Sequence, residues 1–99
     1  MAKRREVVWT SGARTDLDEI VAYIANDSPP SALAFLEEVS GKAESLSTLS
    51  ERGRVVPEIG DPNVRELLIR TYRLFYEVRE NEVTVLGVLH GAREFRKDE

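Results

Sequence analysis

Apolar residues recur along this chain at two periods, near a helical turn in its first half and alternating in its second. The short β-branched and aromatic run at 6–10 (Glu-Val-Val-Trp-Thr) precedes the first helical stretch and reads as a strand. Thr10 or Ser11 then caps a helix predicted to reach about Asn26, in which Ala13, Leu17, Ile20, Val21 and Ile24 make one apolar stripe. Residues 26–30 (Asn-Asp-Ser-Pro-Pro) end that helix and start the next. Ser28 supplies the cap, and proline fits a first turn, where its missing N–H costs nothing. Ala32, Phe35, Leu36, Val39, Ala43, Leu46 and Leu49 keep helical spacing over about five turns. Gly41 falls inside this helix at a cost of about 1 kcal/mol relative to alanine, which close packing would explain.

The period then changes. Residues 54–57 (Arg-Val-Val-Pro) form a short strand candidate whose proline suggests an edge or an end, and 59–63 (Ile-Gly-Asp-Pro-Asn) is turn chemistry. A third apolar run spans 64–69. From Tyr72 to Arg79 the pattern alternates, with Tyr72, Leu74, Tyr76 and Val78 on one face and Arg73, Phe75, Glu77 and Arg79 on the other. Residues 80–82 make a hairpin turn, and 83–89 is apolar on both faces, as an inner strand should be. The expected fold class is α+β: an N-terminal strand, then an antiparallel helical hairpin packed on a mainly antiparallel sheet of three or four strands.

Length and composition narrow this to one domain, 1–99, with 1–5 and 94–99 expected to fray. Hydrophobic residues make up 41% of the chain, enough for a core without metal or disulfide staples. There is no cysteine, so disulfides and thiolate metal sites are excluded, and neither a metal nor a cofactor is expected. No apolar run approaches the roughly 18 residues of a membrane span, and the basic start lacks a signal peptide's apolar stretch. The expected location is therefore the cytoplasm. Net charge is −4, and all of it lies in the first half: residues 1–51 carry five Lys/Arg and nine Asp/Glu, residues 52–99 nine of each. Such a balance does not suit direct nucleic-acid binding, which needs a positive field.

A resemblance emerges from several pieces taken in order. They are Leu17-Asp18-Glu19-Ile20 with Tyr23-Ile24, Ser28-Pro29 followed by Ala32, Phe35 and Leu36, and the run Gly53-Arg54-Val55-Val56-Pro57-Glu58. Val64-Arg65-Glu66-Leu67, the alternating residues 72–78, and 85–93 (Val-Leu-Gly-Val-Leu-His-Gly-Ala-Arg) complete the set. Together they resemble ParE-type toxins of the RelE/ParE superfamily from Trp9 to Arg93. That resemblance implies the toxin of a type II toxin–antitoxin, plasmid-stabilising module that inhibits DNA gyrase and is neutralised by a ParD-like antitoxin. It also implies a complex with the antitoxin that represses its own operon. The related RelE-like toxins share the fold but cut mRNA on the ribosome, and a family member without toxicity would act only in a regulatory complex.

Cleavage through a ribose 2′-OH needs a base, an acid, and cations where charge develops. His90, Arg73 and Arg93 are the candidates under the nuclease alternative, with Arg65, Glu66 and Glu77 near them in sequence. His90 suits a polar strand end better than proton transfer, and Arg73 either a solvated face or a target-facing one. RelE-like nucleases carry more lysines and a tyrosine near the C-terminus; this chain has three lysines and no tyrosine after Tyr76. The expectation is a binding toxin without catalytic residues, meeting its target through Arg65, Arg73, His90 and Arg93. Recognition modes that add a strand or lay down a helix place the antitoxin at Arg54, Val55 and Val56 and at Asp16, Glu19 and Tyr23. Residues 13–51 hold two basic and eight acidic groups, so the segment covering the hairpin is expected to be basic.

Overall fold

The computed structural model describes residues 3–93 and 95. Strand β1 (Glu6–Trp9) leads into helices α1 (Ser11–Asp27) and α2 (Pro29–Ser45), followed by β2 (Arg54–Val55), β3 (Val64–Ile69), β4 (Tyr72–Val78) and β5 (Glu82–His90). The predicted caps form. Thr10 Oγ1 accepts from the Ala13 N–H at 3.0 Å, and Ser28 closes α1 through its N–H to the Ile24 carbonyl while its Oγ accepts from Ser31. Helix α2 is shorter than its apolar spacing suggests. It stops at Ser45, the chain turns through 46–48, and Leu49 is exposed.

The sheet has five strands in the order β1-β5-β4-β3-β2, one or two more than the alternation alone indicated. The addition is β1, which lies parallel to β5 with Trp9 opposite Val85, whereas the other pairings are antiparallel. Parallel pairing needs a long connection, here the helical hairpin followed by β2, β3 and β4, and leaves no local mark in sequence. No helix of the described residues is long and apolar enough to cross a membrane.

The hairpin covers one face of the sheet, burying Phe35, Val39, Leu46, Leu74, Tyr76 and Val85 in the main core. The opposite face holds a second cluster of Val56, Val64, Phe75 and Phe95. In β5 a bulge lets the strand serve both faces: Phe75 opposes Gly87 and Tyr76 opposes Val85, so Leu86 is an extra residue. Asp16 fixes this bulge to α1, its Oδ2 accepting from the Val88 N–H at 3.0 Å. A Cβ on Gly87 would come within 3.1 Å of that same oxygen.

Three expectations are corrected here. Phe95, placed in a frayed tail, is buried and stacks on Phe75 with ring centroids 4.1 Å apart. Arg5, placed in the other tail, is tied down by its N–H to the Ser47 carbonyl and its Nε to the Arg79 carbonyl, each at 2.7 Å. Gly41 has nothing within 4 Å of the position its Cβ would take, so close packing does not account for it.

Candidate functional site

On the face opposite the helices, alternation in β3 and β4 points Glu66 and Arg73 into the second cluster. Glu66 has no solvent contact, and Arg73 is 7% exposed. A carboxylate so buried is tolerable only when charged donors surround it. Arg73 Nε donates to Glu66 Oε1 at 2.8 Å, and Arg54 donates to Glu66 Oε2 from the edge strand. Arg73 also donates to Glu58 Oε1 at 2.9 Å and to the Arg93 carbonyl at 2.9 Å, with its guanidinium 4.7 Å over the Phe75 ring. Glu58 Oε2 accepts from the Phe95 N–H at 3.0 Å, so this network ties Arg93 and Phe95 to the sheet. The hydrogen bond from Arg73, helped by the Phe95 N–H, holds the Glu58 carboxyl at about 2, against 4.5 ordinarily, although partial burial works the other way. Arg73 in turn is held above its ordinary value, chiefly by Glu58. Among the described residues no buried side-chain polar atom lacks a partner.

A second group of side chains gathers where α1 passes the end of β5. Asp16, Glu19 and Tyr23 face Tyr72, His90 and Arg93 across a groove of about 210 Å³. Tyr23 is 73% exposed, and the His90 ring stands edge-on to Tyr72 at 5.7 Å. The His90 Nδ1 accepts from the Ala92 N–H at 3.4 Å. Residues expected to meet the antitoxin thus share a groove with two expected to meet the target.

The remaining expected site residues are dispersed. Arg65 pins loops, with Nε on the Pro62 carbonyl at 3.0 Å and Nη1 on that of Gly53 at 2.9 Å. Arg54 and half-buried Val55 lie on the sheet edge, but the Val56 side chain is buried in the second cluster and its N–H bonds to the Val64 carbonyl. Arg73, contrary to a solvated or target-facing position, is a core residue with its charge matched. Glu58 and Phe95 escaped the sequence reading, and nothing local marks them: one follows a turn proline, the other sits among charges. Burial also pushes the Tyr76 phenol up, while its oxygen accepts from the Gly53 N–H at 3.0 Å.

Residues 7–95 match the family described as ParE toxin of type II toxin–antitoxin system, parDE. The chain belongs to the ParE toxin family. The fold is shared with a structure titled chromosomal ParDE TA system from P. aeruginosa, at a TM-score of 0.71 and 23% identity, covering 88% of this toxin and 96% of that chain. It is also similar to a chain in the toxin–antitoxin complex RelBE2 from Mycobacterium tuberculosis, at a TM-score of 0.59 and 25% identity, covering 92% and 95%. No curated protein matches the sequence at a significant level. The chain is thus the toxin component of a type II toxin–antitoxin module.

Proposed function

We propose that this toxin acts by binding, with DNA gyrase as its target and a ParD-like antitoxin as its neutraliser, and that it does not cut RNA. The observation that carries this reading is the state of Arg73. A phosphoryl-transfer site needs cations free to meet the charge that develops in the transition state. Arg73 donates to two carboxylates and a carbonyl, and is buried with its guanidinium over the Phe75 ring. That leaves His90 and Arg93 from the candidate set, in a groove they share with Asp16 and Glu19. One exposed imidazole and one guanidinium beside two carboxylates favour recognition of a partner over stabilisation of a phosphorane.

The reading is tested with purified, antitoxin-free toxin in two assays, gyrase supercoiling and translation-coupled mRNA cleavage. Inhibited supercoiling with intact mRNA is expected. Cleaved mRNA would support the ribosome-dependent nuclease instead, and activity in neither assay would support a purely regulatory role. Replacement of His90 and Arg93 with alanine should weaken gyrase inhibition while leaving the fold unchanged, since both are exposed.

A further inference from the structure

Of the two residues proposed above to meet the target, His90 ends β5 and the exposed Arg93 lies beyond it. An arginine near a chain terminus ordinarily samples many positions, and fixing it on binding lowers affinity. Here its backbone is held before any partner arrives. The turn out of β5 is closed by the Arg93 N–H on the His90 carbonyl at 2.9 Å and the Gly91 N–H on the Thr71 carbonyl at 2.7 Å. The Arg93 carbonyl accepts from Arg73 Nη1 at 2.9 Å. Two residues on, Phe95 is the single large apolar residue after Leu89, and its ring lies flat on Phe75.

Glu58 reaches both flanks of Arg93. It lies in the turn after β2, where the Ile59 and Gly60 N–H groups close on the Val56 carbonyl at 3.1 and 2.9 Å. Its Oε2 takes the Phe95 N–H at 3.0 Å, and its Oε1 takes Arg73 Nη2 at 2.9 Å. A guanidinium is planar, so acceptors on two of its nitrogens fix the direction of the third. Glu66 on Nε and Glu58 on Nη2 thereby aim Nη1 at the Arg93 carbonyl. The charge of buried Glu66 is matched by Arg73 and Arg54 without Glu58.

We propose that Glu58 is a positioning residue for target recognition: through Arg73 and the Phe95 N–H it holds Arg93 beside His90 in the groove, preformed for the target. Glu58 does not itself line that groove. Its contribution is to remove the cost of ordering the Arg93 backbone when the target binds. The inference rests on the reading that His90 and Arg93 meet gyrase.

The test compares full-length wild-type and variant toxins in the supercoiling assay and, labelled with nitrogen-15, by amide exchange and backbone relaxation. Glu58→Ala should raise the concentration for half inhibition about tenfold. It should also speed exchange at the Phe95 amide and lower the Arg93 order parameter from about 0.85 to below about 0.6. Glu58→Gln keeps one oxygen for the Phe95 N–H and should recover part of each loss. Gly41→Ala, at an exposed position of α2, is added to Glu58→Ala to restore the melting temperature. A merely structural role would restore inhibition with it, whereas positioning leaves inhibition low. If Glu58→Ala does not fold, Phe95→Leu, which keeps an apolar side chain but loses the ring stack, should show the same changes in milder form. An Arg93 amide as rigid in the variants as in the wild type, or inhibition restored by Gly41→Ala, overturns the proposal. Variants that inhibit as well as an inhibiting wild type refute the positioning alone. A wild type that leaves supercoiling intact refutes the gyrase reading, and the inference with it.

Discussion

Glu66 is a carboxylate without side-chain contact with solvent, and its charge is balanced by Arg73 and Arg54. Removing one partner of a buried pair leaves the other charge stranded, which costs about 3–5 kcal/mol. Arg73→Ala should therefore lower unfolding stability by that amount in urea melts. Arg54→Ala, which removes a guanidinium still in contact with water, should cost about 1 kcal/mol or less. Equal effects would show that Arg73 does not carry the network. A pH prediction follows from Glu58. Its folded value of about 2 lies below its unfolded 4.5, so its contribution is complete above 4.5 and is lost as pH falls toward 2. Allowing for its contact with solvent, that contribution is on the order of 1–2 kcal/mol. Glu58→Gln should flatten the fall in stability across this window, and an unchanged profile would refute the assignment. Sequence alternation put Arg73 opposite Tyr72 correctly. What covers that face comes from residues 15 and 22 positions away, and no local pattern encodes such a contact.

Among the elements, the helical hairpin was the most legible part, because caps and apolar stripes act within a turn or two. The strand pairings were less so. Hairpins β3–β4 and β4–β5 follow from short turns, but β1 beside β5 joins residues more than seventy positions apart. The two glycines that flank this contrast behave oppositely. Gly41 is exposed in the middle of α2 with open space where a Cβ would go, so Gly41→Ala should raise stability by about 0.5–1 kcal/mol and the melting temperature by a few degrees. Gly53 is buried before β2, and its Cβ would fall 2.5 Å from the Glu66 carbonyl oxygen and 2.6 Å from the Tyr76 hydroxyl. Gly53→Ala should destabilise by roughly 1–3 kcal/mol through overpacking and disturb the edge that holds Arg54. Thermal melts of the two variants decide this, and a stabilising Gly53→Ala would show that the loop gives way easily.

At the scale of the whole molecule, charge is unevenly divided along the toxin. Residues 13–51 are strongly acidic as a set, with two basic and eight acidic groups, whereas residues 52–99 carry nine of each. An antitoxin segment that lies over the hairpin should accordingly be basic. Such a complex places several charge pairs near solvent, where salt screens them over about 10 Å at 0.1 M. Its affinity should then fall steadily with ionic strength, mostly through slower association, since charges at a rim steer the encounter more than they hold the docked state. Asp18→Lys with Glu19→Lys on α1 should reduce affinity about tenfold by opposing the basic stretch. If the segment over the hairpin proves acidic and affinity hardly changes with salt, the electrostatic division fails. Exposed apolar side chains, Tyr23 on the groove among them, would then have to supply the recognition by themselves.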